Sequence, residues 1–390
     1  MTALQRRLLF TITVSQGFAI GMTYGTFPLF LQPLEDTFDA SRTVISSGQL
    51  IVMLAMSLGG LVVGSKLDKG YPRQIMMFGA TLIICSLAAG SLANQLWVLA
   101  IVAFAIGCCF PAIGPLIGAG LVTRYFEADR GRALGLMSIG PPLGSGLFAA
   151  LAGFCIPSIG WQGTMAMFAG LCTLLLPLIW WNVPARFPVA TVADAKQAQV
   201  GSTMFDVLRR RVFLWTVFAY ALLMGTTMAW TVHIAAFLSS IGMNALQQAS
   251  VLALSFWMGI PGALIFGYLA DRIKPSRLFA CMITLSGFAL ILYTQSPAPS
   301  VVVGLVAVAG FAMGGAIPLY SMLLGERVGA DEFGKAMGVS NLFILPVMGV
   351  AVLSSATLYE RYANYNVALM LLVALLCAAL LCLWISNRIR

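Results

Sequence analysis

Twelve apolar runs, each about as long as a bilayer-spanning helix, succeed one another along this chain. Charged residues make up only 9% of the chain and apolar residues 60%, whereas soluble domains carry about 25% charged residues. These proportions exclude a water-soluble surface. Lipid forbids open strands, and the alternating pattern of barrel strands is absent, so the crossings are predicted to be helices. We therefore predict an all-α membrane protein with twelve transmembrane helices. The runs cover about 8–34, 43–65, 74–93, 95–123, 133–156, 163–182, 212–240, 247–270, 278–295, 300–325, 336–358 and 366–386.

The basic residues fix an expected orientation. With the N-terminus inside, all but two of the 22 Lys and Arg residues fall in cytoplasmic segments, and the exceptions are Arg42 and Arg361. This is the asymmetry of the positive-inside rule. The net charge of +9 therefore indicates orientation rather than nucleic-acid binding. We expect a multi-pass protein of a bacterial-type inner membrane, with both termini cytoplasmic.

The chain repeats itself with an offset of 203 residues. The segment GSKLDKGYP at 64–72 matches GYLADRIKP at 267–275, and GRALG at 131–135 matches GKAMG at 334–338. Apolar bias cannot create these matches, because they lie in charged loops. We predict an N-terminal six-helix bundle over 1–182, a cytoplasmic linker over 183–211 and a C-terminal six-helix bundle over 212–390.

The repeated pattern G-x-x-x-D-[KR]-x-x-P after the second and eighth helices resembles motif A of the major facilitator superfamily. The resemblance implies two pseudo-symmetric six-helix bundles that expose one central site alternately to each side. It also implies a cytoplasmic gate in which acidic side chains face helix N-termini. The gating residues on this interpretation are Gly64, Asp68, Arg73, Arg132, Gly267, Asp271 and Arg272.

A second resemblance concerns the substrate. Residues 24–46 and the segment HIAAF at 233–237 resemble the monocarboxylate porter branch and its oxalate/formate-exchanger relatives. This likeness implies a small organic anion, such as a monocarboxylate, moved with protons. The eighth helix departs from animal members of the branch, because SFWMGIP at 255–261 lacks their acidic-basic pair.

Acidic and basic residues are absent from the middle of every predicted span. Because a charge at mid-bilayer costs about 2.5–3.5 kcal/mol and usually marks function, the absence disfavours a dianion held by paired arginines. The remaining candidates for the substrate site are polar or aromatic residues at mid-depth. They are Tyr24, Gln49, Trp230, His233, Trp257, Tyr320 and Asn341.

His233 is the single histidine of the chain, and imidazole changes charge between about pH 5 and 8. Two interpretations stay open. Protonated His233 could pair with an anion and cross with it, or His233 could bond a neighbouring helix carbonyl and serve only in packing.

Three alternatives compete with anion transport. The segment GPPLG at 140–144 resembles part of a motif of proton-linked efflux antiporters. Met224 and Met228, with His233 nearby, could pass copper. Ser145 with His233 suggests an intramembrane hydrolase, but the spacing fails the nucleophile pattern. We predict a monomeric transporter, not an enzyme, without cofactor or resident metal, whose partners are a small-molecule substrate, protons and lipid.

Overall fold

The computed structural model describes residues 1–68, 70–126, 130–186, 208–270, 272–295, 298–328 and 333–389. These residues form two compact units. The first contains the described residues of Met1–Ala190 and Asn244–Ala253, and the second contains those of Thr191–Met243 and Leu254–Arg390. Most of the predicted linker, residues 187–207, lies outside the described residues.

The helices of the first unit follow the predicted runs. They are α1 (Ala3–Ile20), a π-helical turn (Gly21–Gly25), α2 (Phe27–Phe38), α3 (Arg42–Asp68), α4 (Pro72–Ser91), α5 (Leu96–Ile113), α6 (Pro115–Tyr125), α7 (Arg130–Met137), α8 (Gly140–Cys172) and α9 (Leu175–Asn182).

The helices of the C-terminal half are fewer because its runs contain fewer breaks. They are α10 (Arg211–Ser240), α11 (Ala245–Ala270), α12 (Pro275–Thr294), α13 (Pro299–Gly314), α14 (Ala316–Val328), α15 (Phe333–Tyr362) and α16 (Tyr365–Arg388). The residues of α11 up to Ala253 belong to the first unit, and the rest of these helices belong to the second.

Within the described residues, ten helical stretches are long and apolar enough to cross a membrane. One of them, Ala133–Asn182, has 50 residues and would be about 75 Å long as a single helix, more than twice the bilayer core. It turns back at Gly160, whose φ of 71° breaks the helix. The first crossing, α1 with α2, is interrupted by the π-helical turn. Two crossings in the long stretch and one in the interrupted segment agree with the predicted twelve.

The internal repeat is visible in the backbone. Helix α12 has the same length as α4 and begins and ends 203 residues later. Two of the left-handed positions recur with the same offset, since Asp39 corresponds to Gly242 and Gly160 corresponds to Ala363, whereas Gly70 has no left-handed counterpart among the described residues. The two halves therefore share two turns at equivalent positions.

Candidate substrate cavity

The first crossing is broken near its middle. Helix α1 ends at Ile20, and α2 starts with Pro28 in its first turn, where its missing N–H costs nothing. In the turn between them, the Thr23 hydroxyl donates to the carbonyl of Ala19 at 2.6 Å and the Thr26 hydroxyl donates to that of Met22 at 2.9 Å. These bonds satisfy carbonyls that the break would leave unpaired in an apolar surrounding. π-Helical turns occur often at functional sites, and Tyr24 lies on this one.

Glycines bring this broken crossing into backbone contact with α8. A Cβ on Gly17 would lie 2.9 Å from the Gly140 carbonyl oxygen, and a Cβ on Gly21 would lie 2.6 Å from the carbonyl carbon of Gly144. A Cβ on Gly25 would lie 2.7 Å from Ser145 Cα. Small residues four apart permit such close approach between membrane helices. This contact gives the glycines of 140–144 a packing role.

Beside the broken crossing lies a cavity of about 390 Å³ within the first unit. Residues of α2, the π-helical turn, α3, α4, α5 and α8 line it. Five of the lining residues are aromatic: Tyr24, Phe27, Phe30, Trp97 and Phe168. Four others have neutral polar side chains: Thr23, Thr26, Ser47 and Gln49. The described lining contains no charged residue.

The polar groups of the lining are not equivalent. The hydroxyls of Thr23, Thr26 and Ser47 all donate to carbonyls of their own helical turns. Gln49 is 4% exposed, and its Oε1 accepts no hydrogen bond from the described residues. The ring of Tyr24 lies edge-on to Phe110, with 5.0 Å between centroids. Gln49 and Tyr24 are therefore the two polar side chains of the lining most available to a ligand.

An ion pair joins the helices next to the cavity. Arg42 at the start of α3 donates from Nε to Glu35 Oε1 at 2.6 Å and from Nη2 to Glu35 Oε2 at 2.7 Å. The two side chains are 11% and 16% exposed, and the nearby residues Leu34 and Val44 line the cavity. The two-point geometry holds α2 and α3 in a fixed relation.

The predicted site residues of the second unit lie outside this cavity. His233 is buried, and its Nε2 lies 3.3 Å from the carbonyl oxygen of Val352 on α15. Its ring centroid is 6.1 Å from that of Tyr365 on α16. Trp230 stacks on Tyr293 at 4.5 Å with 18° between the rings. His233 and Trp230 therefore take part in contacts between helices.

The other three candidates are scattered. Tyr320 is buried and stacks on Tyr220 at 3.8 Å. Trp257 is 43% exposed, and Asn341 is exposed. Of the seven predicted substrate-site residues, the structure brings only Tyr24 and Gln49 together in the described cavity.

The predicted gating residues are described in part. Arg73 donates from Nε to the Val183 carbonyl at 2.7 Å, and its guanidinium lies 5.2 Å from the Trp180 ring. Arg272 lies 4.7 Å from the Tyr268 ring. A Cβ on Gly64 or Gly267 would meet no described atom within 4 Å. The side chains of Asp68 and Arg132, and all of Asp271, lie outside the described residues.

Sequence reasoning missed most of the cavity wall. Phe27, Phe30, Trp97 and Phe168 look like ordinary apolar residues of a membrane helix, and only tertiary packing brings them together. The glycine contact had a readable signal, because Gly17, Gly21 and Gly25 recur every four residues. The Glu35–Arg42 pair had none, because its partners belong to different helices.

Comparison with known proteins agrees with this architecture. The family model described as Major Facilitator Superfamily matches residues 9–351. A gallate transporter of Pseudomonas putida is 29% identical over 346 residues, covering 79% of this chain and 75% of the relative. Monocarboxylate transporter 13 of Bos taurus is 27% identical over 299 residues, covering 73% and 67%.

A solved structure shows the same fold. It is a bacterial homologue of the human lysosomal transporter Spinster, with a TM-score of 0.80, 14% identity and coverage of 100% of this chain and 98% of that one. The repeat, the twelve crossings and the family match lead to one conclusion. This chain belongs to the Major Facilitator Superfamily and is a multi-pass membrane transporter.

Proposed function

We propose that the protein moves a small organic anion of the monocarboxylate class together with a proton, by alternating access. The observation that carries the proposal is a cavity of polar and aromatic side chains whose described lining is uncharged. Two relatives are named for carboxylates, gallate and monocarboxylates. The proposed setting is the inner membrane with both termini cytoplasmic, because almost all basic residues belong to one set of loops.

The uncharged lining suggests how coupling arises. A carboxylate in such a cavity has no cationic partner, and an isolated charge in a membrane interior costs at least about 2.5–3.5 kcal/mol. Protonation of the substrate removes this cost. The transported unit is then the neutral acid, or equivalently the anion with one proton. A proton gradient can therefore drive accumulation without a buried carboxylate relay in the protein.

The test is uptake into proteoliposomes that contain the purified protein. Radiolabelled lactate and benzoate should accumulate when the outside is made acidic, and a protonophore should abolish accumulation. Succinate, a dicarboxylate, is the control and should accumulate poorly. Uptake that ignores the pH gradient would contradict the proposal, and proton-driven extrusion of apolar compounds alone would favour efflux.

His233 offers a different origin for coupling and needs its own test. Replacing it with Gln keeps an N–H that can reach the Val352 carbonyl but removes the ability to become charged. We expect His233→Gln to preserve the stimulation of uptake by external acid, because the proton travels on the substrate. Loss of that stimulation in a well-folded variant would identify His233 as the proton carrier.

The proposed gate rests on the family resemblance. Asp68 belongs to the repeated charged loop at the end of α3, where a carboxylate can stabilise a facing helix N-terminus. We expect Asp68→Asn to lower turnover while leaving the KM for substrate within a few-fold. Unchanged turnover in proteoliposomes would remove Asp68 from the gate.

A further inference from the structure

We infer that the cavity of the first unit selects an aromatic acid that carries a ring hydroxyl, and that Gln49 accepts the hydrogen bond of this hydroxyl. The carboxylate part of this inference rests on the proposed function. The ring and the hydroxyl are argued separately, from the walls of the cavity and from the amide of Gln49.

The walls of the cavity suit a flat ring. Tyr24 and Phe27 contribute from the broken first crossing, Trp97 from α5 and Phe168 from α8. Aromatic rings pack edge-to-face or offset on one another, and these contacts add to the gain from burying the ring. A volume of about 390 Å³ lies in the range of small-molecule sites. A single six-membered ring with one or two substituents fits it.

The amide of Gln49 gives the cavity a preference for a donor. Its Oε1 is buried and accepts no hydrogen bond from the described residues. A buried acceptor without a partner is costly in an apolar surrounding. A phenolic hydroxyl can donate to this oxygen, whereas an unsubstituted ring cannot. The same ring lacking its hydroxyl therefore binds more weakly.

The carboxyl group of the ligand has a different partner in the cavity lining. The threonine and serine hydroxyls of the lining use their hydrogens within their own helices. Tyr24 lies on the π-helical turn and presents a phenol, which can donate to a carboxyl oxygen. Gln49 and Tyr24 then hold the two polar ends of the ligand.

The matching positions of the internal repeat do not provide a hydrogen-bond acceptor like that of Gln49. With the offset of 203, Gln49 corresponds to Leu252, which is 1% exposed. Gly90, which lies beside the lining residues Met165 and Val102, corresponds to Tyr293, which stacks on Trp230. At the second of these positions the repeat has a large buried aromatic side chain where the first half has a glycine beside the cavity. Gln49→Leu therefore introduces the apolar residue that the chain carries at the matching position of its repeat.

Calorimetric titration of the purified full-length protein in detergent tests the inference. The probes are 4-hydroxybenzoate, benzoate and L-lactate. We expect 4-hydroxybenzoate to bind about three- to tenfold more tightly than benzoate, the value of one net hydrogen bond. In Gln49→Leu the ratio should fall to within twofold. Gln49→Met, which keeps the length of the side chain without an acceptor oxygen, provides a second variant if the first does not fold.

Gln16→Leu is the matched control. Gln16 is 1% exposed on α1 and lies outside the cavity lining, so its loss should leave the ratio unchanged. Equal binding of the two benzoates by the parent protein, or an unchanged ratio in both Gln49 variants, would overturn the inference.

The inference and the proposed function can fail separately. Proton-driven lactate uptake by a protein that binds 4-hydroxybenzoate no better than benzoate would overturn the inference alone. A Gln49-dependent preference for 4-hydroxybenzoate without proton-driven uptake would support the inference while the proposed function fails.

Discussion

The two halves of this transporter share one sequence repeat, but they have different residues at equivalent positions. In the first half, Gly17 and Gly21 lie against the backbone of α8, and a cavity lies beside them. In the second half, the corresponding residues are Tyr220 and Met224, and the ring of Tyr220 stacks on that of Tyr320. The crossing α10–α15 is looser, because a Cβ on Gly225 would lie 3.1 Å from the Val347 carbonyl oxygen. One fold thus supports a tight crossing beside a cavity and a looser crossing beside stacked aromatic side chains.

The difference separates what the fold requires from what the site requires. The bounds of α4 and α12 and two left-handed turns repeat with the offset of 203 in both halves, so they belong to the fold. The aromatic cavity, Gln49 and the Glu35–Arg42 pair occur in the first half, where the second has Leu252, Leu238 and Ala245 at the matching positions. Features confined to one half are the better candidates for substrate recognition.

The largest predicted effect comes from replacing a glycine at the tight crossing of the first half with the residue found at the matching position of the second half. Gly144 corresponds to Val347, and a Cβ on Gly144 would overlap the Gly17 carbonyl oxygen. We expect Gly144→Val to prevent recovery of folded protein, because both contacting atoms belong to backbone that cannot move aside. Size-exclusion profiles of the tagged protein measure this. Gly170→Val, in the part of α8 that follows the break at Gly160, is the control, because a Cβ there meets no described atom within 4 Å. Similar loss in both variants would contradict the account.

Removing a large buried side chain from the second half should also lower the stability of the protein. Tyr293 is fully buried against Trp230, and we expect Tyr293→Ala to reduce stability by about 3–5 kcal/mol. Thermal unfolding in detergent is the measurement. Phe288→Ala, on the same helix but 57% exposed, should cost far less. Equal shifts in melting temperature for the two variants would mean that Tyr293 does not fill the second half.

The Glu35–Arg42 ion pair lies in the first half, and the matching residues of the second half, Leu238 and Ala245, are uncharged. Glu35→Gln leaves Arg42 largely buried without its carboxylate, so we expect a loss of about 1–3 kcal/mol. The double variant Glu35→Leu with Arg42→Ala, which has the residues of the second half, should recover part of that loss, because it leaves no unpaired charge. Thermal unfolding again reports the change. Asp36→Asn, at an exposed neighbouring position, is the control and should have almost no effect. A double variant less stable than Glu35→Gln would show that the unpaired charge of Arg42 is not the cause of the loss.

The smallest effect concerns the matched turns. Ala363 has a φ of 48°, and its counterpart in the first half is Gly160 with a φ of 71°. Because the left-handed region is unfavourable for a residue with a Cβ, we expect Ala363→Gly to stabilise the protein by about 0.5–1 kcal/mol. A lower melting temperature for Ala363→Gly would show that this turn is not strained.

The sequence predicted the crossings and the repeat because both depend on strong one-dimensional signals. A run of about 20 apolar residues or a charged loop at a fixed offset can be recognised without tertiary contacts. The π-helical turn at Gly21–Gly25 was not predicted, because local propensity does not distinguish it from an ordinary helix with glycines.

The candidate cavity was predictable only in part for a related reason. Tyr24 and Gln49 stand out as polar residues in an apolar run, so both were among the predicted site residues, and both line the cavity. The cavity wall did not stand out, since Phe27 and Phe168 have the composition of any membrane helix. His233 stood out by its rarity, but the structure finds it bonded to a helix carbonyl, which rarity alone cannot reveal.

The most direct test of the account is whether transport moves net charge. If the cavity takes the substrate as a neutral acid, uptake of benzoate should follow the pH gradient and should generate no current on a solid-supported membrane. Imposing a membrane potential at equal pH should leave the uptake rate unchanged. A substrate-induced current, or uptake driven by potential alone, would contradict an uncharged cavity as the basis of coupling.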